Sequence, residues 1–507
     1  MNTSPHNARL ADRVDARDPG PNGIWSFALG LAMLALGVLG TLVTPILFVF
    51  RTVSRNYNEG WNAFWADAAV AGGGILYPSR ESLLTNNYPP LSFHIVGRIG
   101  QVVGDNVTAG RLVSLAGFAV LLVAASMWLR AVGTSRLVAV AGGTMLAAVF
   151  SYSAPGYIAM NDPQMLGHTF MLCGVAVLWH FDFSRPAVIA GALLILLGGF
   201  TKHMLIPAPL AVTLWLLIYR RQSLAPWLAC FAVGLPLGFW LTLRTYPHFM
   251  DQLLLGRSYD FHRTISATLP VLKHVLPLLL VGALPLVGML RRRDRFRIEP
   301  PGAFVLLYVA LSFVIGAFVV GGAGINRNAF FDLFIASSLF AGLGLDKLWE
   351  PFRQRRLLRI PVASAVMVVL GAGMAIRSAT AGPQTIRSLR EMDDLERDTR
   401  MMVSLIGELG NGRAACETVA LCYWAHERFT IDFFAYGQKL RNGIATRESC
   451  EAMFARSEFP VVQVESAMLG ENSRLGPCAP AIGRYYTEIF HSPLGALFVP
   501  KQSAGRR

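Results

Sequence analysis

The chain has 507 residues, of which 53% are apolar and only 15% are charged, whereas about 25% of the residues in an ordinary soluble domain are charged. A soluble protein of this length would divide into about three domains with polar surfaces, and there are too few charged residues to cover them. The composition therefore excludes a soluble enzyme, a fibrous protein and a disordered protein, and it predicts a protein that lies largely in lipid.

The distribution of charge divides the chain into two parts. Residues 1–376 contain 29 basic and 16 acidic residues, and residues 377–507 contain 16 basic and 15 acidic residues. We predict a cytoplasmic tail over residues 1–24, a transmembrane domain over 25–376 and a soluble extracytoplasmic domain over 377–507. The basic clusters lie between apolar runs, as the positive-inside rule describes, so we do not expect a nucleic-acid partner.

Eleven apolar runs are candidates to cross the hydrocarbon core, which requires about 20 residues. They are Trp25–Phe50, Leu112–Leu129, Leu137–Phe150, Met165–Trp179, Ala187–Phe200, Met204–Tyr219, Leu224–Leu243, Leu269–Leu290, Ala303–Val320, Ala329–Trp349 and Ile360–Ile376. The third, fourth and fifth runs are short, so these segments either cross the membrane, re-enter it or merge.

The arginines predict the orientation. They precede the first run and form dense clusters at residues 291–297 and 353–359. If the N-terminus is cytoplasmic, every dense basic cluster falls on the cytoplasmic side, and eleven spans place the C-terminal domain on the opposite side. We therefore expect a multi-pass protein of the plasma (inner) membrane with a periplasmic C-terminal domain.

The C-terminal part has the features of a small α/β domain. A charged helix is predicted over Ile386–Gly407, and a strand within residues 459–465. Four of the six cysteines lie in this part, which indicates one or two disulfides in an oxidising compartment. Three pairings are possible, of which we expect Cys416 with Cys422 and Cys450 with Cys478, and the spacing of the four cysteines does not fit a zinc site.

The long loop at residues 51–110 is predicted to lie on the outer face. It is rich in aromatic residues, and helical stretches are predicted near Trp61–Ala71 and Leu91–Ile99 along the membrane surface. Glu59 follows the first span and has Tyr57 and Trp61 on either side. A partly dry aromatic setting raises the pKa of a carboxylate and suits a general base; the alternative is an acid that merely begins an interfacial helix.

A second acid and several cations are also predicted on the outer face. Asp162 precedes Pro163, so it is either a helix cap or part of a site. Lys202 and His203 form a turn between the fifth and sixth spans, where Lys202 either binds an anion at membrane depth or extends its amine towards water. Further outer cations are Arg111, Arg257, Arg263 and Arg327, the last of which either binds an anion or pairs with Asp332.

A hydroxyl nucleophile needs a base, and a phosphate leaving group needs cations. A sugar carried on a lipid phosphate would use both kinds of group. Four segments of the sequence resemble the GT-C glycosyltransferases, the polyprenyl-phosphate-sugar-dependent group that includes protein mannosyltransferases and the aminoarabinose transferase of lipid A. These segments are Asn56-Tyr57-Asn58-Glu59-Gly60-Trp61, Tyr88-Pro89-Pro90-Leu91, Gly110-Arg111-Leu112 and Asn161-Asp162-Pro163.

The apolar runs and the C-terminal pattern predict an α-helical polytopic membrane protein with about eleven transmembrane helices, surface helices on the outer face and a small C-terminal α/β extracytoplasmic domain, and over about residues 25–376 the resemblance implies a GT-C-like catalytic domain. The resemblance also implies transfer of a sugar from a polyprenyl-phosphate donor to a glycan, lipid or protein acceptor, with inversion. Glu59 would then be the general base, and Asp162 would orient the acceptor or help to hold a divalent cation.

The same resemblance assigns the remaining site residues. Lys202 and Arg327 would bind the donor phosphate together with Arg111 and His203, and the substrate would contact Tyr57, Asn58, Trp61 and Tyr88. The family often has two adjacent acids in the first loop, but position 58 is Asn. This departure makes a base that acts without metal the simpler expectation and leaves open the use of Mg²⁺ or Mn²⁺.

Two alternatives remain at this stage. A polytopic transporter or a flippase for lipid-linked glycans should carry charged residues deep within its spans, along a path. Here the middles of the spans are almost free of charge, and the polar candidates gather at one face. This pattern favours surface chemistry. A ligase or polymerase of surface polysaccharide is the other alternative, and it would differ in the size of its acceptor.

Overall fold

A computed structural model describes residues 21–72, 76–291, 298–349, 362–465, 469 and 473–501. The residues that it describes are mostly helical. The helices of the N-terminal part are α1 Pro21–Leu47, α2 Tyr57–Ala71, α3 Leu91–Val103, α4 Asn106–Ala131, α5 Arg136–Ser153, α6 Pro155–Ile158, α7 Gln164–His180, α8 Arg185–Thr201, α9 Pro207–Tyr219, α10 Arg221–Thr245, α11 Phe249–Leu253, α12 Phe261–Arg291, α13 Pro300–Val320 and α14 Phe331–Trp349. The long α15 Val362–Leu409 follows them.

Each of the eleven predicted spans coincides with a helix. In the described ranges, eight helices are long and apolar enough to cross a membrane. The other three are α7, α8 and α9, with 17, 17 and 13 residues. The third predicted span is helix α5, which with 18 residues is longer than its apolar run suggested. The predicted architecture, an α-helical membrane bundle with a C-terminal α/β domain, is confirmed.

Helices α1 and α15 pack closely through glycines. A Cβ atom at Gly30 would come within 2.5 Å of the backbone of Met367, and one at Gly371 would come within 2.2 Å of the Gly30 carbonyl oxygen. Small residues let helix backbones approach one another where lipid supplies no hydrophobic driving force. The first and last predicted spans are therefore neighbours in the bundle.

Helix α15 continues from the bundle into the C-terminal domain without a break. It has 48 residues and is therefore about 72 Å long at 1.5 Å per residue. The charged helix predicted over Ile386–Gly407 is its second half, and the expected boundary between residues 376 and 377 falls inside it.

Arg51, just after the first span, binds this helix through ion pairs with Asp393 at 2.7 Å and Glu396 at 2.8 Å.

The C-terminal domain is built on a four-stranded sheet. The strands are β1 Ala415–Cys416, β2 Val462–Val464, β3 Tyr486–Ser492 and β4 Gly495–Pro500, in the order β1-β2-β4-β3. The first pair is parallel, and the other two pairs are antiparallel. The helices are α16 Val419–Trp424, α17 Phe433–Arg441, α18 Arg447–Ala455 and α19 Pro480–Tyr485.

The two expected disulfides are present in this domain. Cys416 is bonded to Cys422, and Cys450 to Cys478. Cys173 and Cys230, in the bundle, are free thiols. A predicted strand within residues 459–465 corresponds to β2, so the sequence located both the covalent links and a central strand of the sheet.

The first long loop lies between the bundle and the C-terminal domain. Helices α2 and α3 coincide with its two predicted helical stretches. Helix α2 packs so tightly on α16 that a Cβ atom at Gly60 would come within 1.9 Å of the Ala420 nitrogen. The C-terminal domain therefore rests directly on the helix that carries Glu59, and the polar residues of both parts meet there.

Candidate active site

A cleft of about 480 Å³, including its open mouth, lies between the first loop and the C-terminal domain. All four residues that the sequence assigned to substrate binding, Tyr57, Asn58, Trp61 and Tyr88, line it. The opposite walls come from the loop before α12 and from the start of α17. The residues from these walls are Leu255, Gly256, Arg257, Asp432, Phe434, Ala435 and Gln438, and Thr85 and Asn87 complete the lining.

Arg257 and Asp432 carry the charge of this cleft, since every other described residue of its lining is neutral. Asp432 caps α17 by accepting a hydrogen bond from the Ala435 amide at 2.9 Å, and its other oxygen accepts one from Trp61 Nε1 at 3.0 Å. The Arg257 guanidinium lies 5.6 Å from the centre of the Phe434 ring. The sequence predicted neither residue as part of the site, although Arg257 was among the outer cations.

Lys202 lies behind the Tyr88 wall of the cleft. Its ammonium nitrogen is 3.8 Å from the centre of the Tyr88 ring and 3.6 Å from Asp162 Oδ1. Only 2% of the residue is exposed, and the amine makes no hydrogen bond with a described residue. Burial lowers the pKa of Lys202, but the Asp162 carboxylate raises it, and the net direction is upward. The amine therefore stays protonated, and its hydrogen-bonding capacity is unused.

Asp162 also keeps unused hydrogen-bonding capacity. Its Oδ1 caps α7 by accepting from the Gln164 amide at 2.9 Å, whereas its buried Oδ2 has no hydrogen-bond partner among the described residues. A second, smaller cleft of about 280 Å³ lies beside it. Asp162 can therefore serve in both of the ways considered from the sequence. One carboxylate oxygen accepts a hydrogen bond at the start of α7, and the other is free for a site.

Glu59 is placed differently. Its side chain is fully buried and forms a two-pronged ion pair with Arg111, with distances of 2.8 Å to Nε and 2.7 Å to Nη2. The amides of Arg55 and Asn161 donate to the same carboxylate at 2.8 and 3.2 Å. Glu59 is absent from the lining of the cleft that holds Arg257 and Asp432. A carboxylate with four donors and no cleft beside it has no free lone pair directed at a substrate.

Arg111 is equally saturated. Besides Glu59, its guanidinium donates to the carbonyl oxygens of Phe48, Arg51 and Val53, at 3.0, 2.7 and 2.6 Å. This pattern uses all of its N–H groups and holds the chain just after α1 in place. The geometry favours a structural role for Arg111 over the predicted phosphate contact.

Asn161 connects the pair of Glu59 and Arg111, whose hydrogen bonds are all made, to the pair of Asp162 and Lys202. It binds Glu59 through both its backbone and its side-chain amide, and its carbonyl oxygen accepts from Asn62 at 2.7 Å. The next residue is Asp162, which faces Lys202. A continuous set of contacts therefore runs from Arg111 through Glu59, Asn161 and Asp162 to Lys202 at the back of the cleft.

Two other predicted phosphate-binding residues, Arg327 and His203, are absent from the lining of the cleft. Arg327 is exposed and donates to the Ser153 carbonyl at 2.8 Å. Its alternative pairing with Asp332 is wrong, because Asp332 accepts from the buried Tyr308 hydroxyl and lies 3.3 Å from His168 Nε2. His203 is exposed at the turn next to Lys202. In the part of the chain that the structure describes, no three His, Cys, Asp or Glu side chains lie close enough to share a metal ion.

Comparison with known proteins shows what kind of fold surrounds this site. No protein-family model matches the sequence, and no curated protein sequence matches it. The ArnT structure from Cupriavidus metallidurans in the apo state is 13% identical with a TM-score of 0.58, and the match covers 94% of this chain and 98% of that one. The same protein bound to undecaprenyl phosphate is 15% identical, with a TM-score of 0.56 and coverages of 94% and 99%.

A third similar structure is the archaeal oligosaccharyltransferase AglB from Archaeoglobus fulgidus, in complex with an inhibitory peptide and a dolichol-phosphate. It is 11% identical with a TM-score of 0.56, and the match covers 94% of this chain and 75% of that one. ArnT and AglB are both GT-C glycosyltransferases. The chain has the GT-C fold.

Within this GT-C fold the predicted site residues occupy three places. Tyr57, Asn58, Trp61 and Tyr88 form one wall of the cleft, and Lys202 and Asp162 lie directly behind it. Glu59 and Arg111 are enclosed below, and Arg327 lies at the surface. The GT-C fold thus gathers most of the predicted polar residues at one end of the bundle, beneath the C-terminal domain.

Proposed function

We propose that the chain is a membrane glycosyltransferase that moves a sugar from a polyprenyl-phosphate-linked donor to an acceptor hydroxyl. The observation that carries this proposal is the cleft in which Tyr57, Asn58, Trp61 and Tyr88 face Arg257, with the protonated Lys202 behind Tyr88. The GT-C fold supports it, because one structure with this fold holds undecaprenyl phosphate and another holds a dolichol-phosphate.

The chemistry of the cleft suits a phosphate leaving group. As the bond from the sugar to the phosphate breaks, negative charge grows on the departing phosphate oxygen and positive charge on the sugar. Fixed cations stabilise that oxygen most strongly where water is scarce. Arg257 is half-buried at the cleft wall, and Lys202 is fully buried with an unsatisfied amine. Attack by the acceptor on the face opposite the phosphate gives inversion.

The geometry supports a different task for Glu59 from the general-base role predicted from the sequence. Its saturated carboxylate fixes Arg111, and Arg111 fixes the backbone that leads into α2. We infer that Glu59 and Arg111 are positioning residues for the wall formed by Tyr57, Asn58 and Trp61. Asp162 is then the residue that orients Lys202, at 3.6 Å.

The orientation expected from the arginines belongs to the same proposal. The cleft lies at the end of the bundle that carries the C-terminal domain, and the dense basic clusters belong to loops at the other end of the predicted topology. We therefore place the reaction at the extracytoplasmic face of the plasma (inner) membrane. The two disulfides of the C-terminal domain support an oxidising compartment.

The test is transfer by the purified full-length protein, incubated with a panel of radiolabelled polyprenyl-phosphate sugars and an envelope extract as acceptor. Wild type is expected to transfer label from one donor. Lys202→Met keeps the length of the side chain and removes its charge, so it should raise the KM for the donor at least tenfold, with a smaller change for the acceptor. Lys347→Met changes a half-buried lysine paired with Glu299; it is the matched control and should behave as wild type.

Two results would contradict the proposal. One is the absence of transfer from every donor in the panel while a labelled donor moves across proteoliposomes, which would favour the transporter alternative. The other is a Lys202→Met protein whose KM rises only for the acceptor, which would remove Lys202 from the donor phosphate site.

A further inference from the structure

The C-terminal domain contributes a carboxylate to the cleft. Asp432 immediately precedes α17, and only 4% of the residue is exposed. Among the described residues that line the cleft it alone carries a carboxylate, and it lies there with Asn58 and Tyr88 from the first loop. Its contacts with the Ala435 amide and with Trp61 Nε1 hold both oxygens in place. Trp61 Nε1 also donates to the Thr85 carbonyl at 3.2 Å.

The hydrogen bonds of Asp432 and Glu59 differ in number. Glu59 accepts four hydrogen bonds and has no exposed surface. Asp432 accepts one side-chain hydrogen bond from Trp61 and backbone hydrogen bonds from Ala435 and Phe434. A carboxylate has about four lone-pair sites, so these three donors leave one of them free on Asp432. Position 58, where the family often has a further acid, carries an amide in this chain.

We propose that Asp432 is the general base of the transfer reaction, an inference that rests on the proposed function. The acceptor O–H proton passes to the Asp432 carboxylate as the acceptor oxygen forms its bond to the anomeric carbon. The bond from that carbon to the phosphate oxygen breaks, and its electron pair leaves with the polyprenyl phosphate. The protonated Asp432 releases its proton to water after the products depart. The carboxylate that acts as the base thus comes from the C-terminal domain and not from the first loop.

The surroundings of Asp432 suit this task. Burial raises the pKa of Asp432 to about 6, and the hydrogen bonds from Ala435 and Trp61 and the charge of Arg257 oppose the rise. The titratable and charged groups near it are Arg257 from the loop before α12, Lys439 on α17 and Tyr57 on α2. When the pKa of a base is close to the working pH, a large fraction of the base is unprotonated and it still accepts a proton readily.

The experiment measures kcat/KM for sugar transfer from pH 5 to pH 9 with the full-length protein in nanodiscs. Wild type should lose activity tenfold per pH unit below about pH 6, because protonated Asp432 cannot accept a proton. Asp432→Asn preserves the cap of α17 and should lower kcat/KM by about 100- to 10,000-fold. Asp251→Asn changes a half-exposed aspartate next to His248 and is the matched control, which should leave both the rate and the acid limb unchanged.

A second variant separates catalysis from a structural role. Trp61→Phe removes a hydrogen bond that favours the charged form of Asp432, so the acid limb of its profile should move to higher pH. A merely structural Asp432 would not produce that shift. An Asp432→Asn protein that folds, transfers sugar within tenfold of the wild-type rate and keeps the same acid limb would overturn the proposal. If the wild-type protein transfers sugar from no donor, the proposed function itself is wrong. If the wild-type protein transfers sugar and Asp432→Asn behaves in the same way, only the assignment of Asp432 as the base is wrong.

Discussion

At the scale of single residues, hydrogen-bond saturation distinguishes the charged groups of this site. Arg111 and Glu59 satisfy one another and the surrounding backbone, whereas Lys202 and one oxygen of Asp162 are buried without a described hydrogen-bond partner. Leaving a buried polar atom without a hydrogen bond costs free energy, even where, as for Lys202 and Asp162, the two charges lie 3.6 Å apart. The residues with this free-energy cost, Lys202 and Asp162, lie at the back of the cleft, where an incoming anion would provide the hydrogen bonds that the Lys202 amine lacks.

Replacement of Glu59 tests its structural role. Glu59→Gln leaves the buried Arg111 guanidinium without its counter-charge, and removal of one partner of a buried pair costs about 3 to 5 kcal/mol. We expect a clearly lower unfolding temperature in detergent, followed by tryptophan fluorescence. Glu391→Gln, at an exposed position of α15, should unfold as wild type does. A Glu59→Gln protein that unfolds at the wild-type temperature but transfers no sugar would instead support the catalytic role first predicted for Glu59.

At the scale of elements, the sequence predicted the helices well because length and apolar content are local properties. Each apolar run corresponds to a helix, including the three short runs, which are α5, α7 and α8. The continuity of α15 was not predicted, since the chain becomes polar after residue 376 and Pro383 is typical of a helix end. The helix nevertheless passes through Pro383.

The contact between α2 and α16 is the element-scale feature with the clearest consequence. Gly60→Ala would place a methyl group within 1.9 Å of the Ala420 nitrogen and 2.3 Å of the Val419 carbonyl carbon, both backbone atoms. Overpacking of this kind typically costs about 1 to 3 kcal/mol, and here it pushes the C-terminal domain off the cleft wall. We expect lower transfer activity and faster proteolysis near α16, measured by limited trypsin digestion.

The matched control is Gly199→Ala on α8, where the added methyl group meets no atom within 4 Å. Alanine favours a helix over glycine, so this variant should keep both activity and protease resistance. A Gly60→Ala protein with the activity and the trypsin resistance of wild type would contradict the prediction. It would show that the C-terminal domain moves freely on α2, so that the cleft between them has no fixed geometry.

At the scale of the whole molecule, the site brings together segments that lie far apart in the sequence. Glu59 and Arg111 are 52 residues apart, and Trp61 and Asp432 are 371 residues apart. The sequence could mark Glu59, Asp162 and Lys202 as unusual polar residues at an outer face. It could not show that Arg111 saturates Glu59 or that Asp432 reaches the cleft, because these facts depend on how the C-terminal domain packs on α2.

The arrangement of the whole chain predicts where its ends lie. An odd number of crossings places the N-terminal end of α1 and the C-terminal domain on opposite sides of the membrane. The basic clusters predict that the N-terminal side is cytoplasmic. We expect alkaline phosphatase fused after Arg507 to be active in cells, because this enzyme needs the oxidising compartment for its own disulfides. A green fluorescent protein fused at the same position and exported unfolded should remain dark.

Two control fusions end the chain earlier. One ends after Ala323, between α13 and α14, which the same arrangement places on the outer side. The other ends after Glu299, between α12 and α13, which lies on the cytoplasmic side. Phosphatase activity should therefore be high for the first and low for the second. Low activity after Arg507 with high activity after Ala323 would mean an even number of crossings. The C-terminal domain would then lie on the cytoplasmic side, and Asp432 would be separated from the first loop that its hydrogen bond to Trp61 requires.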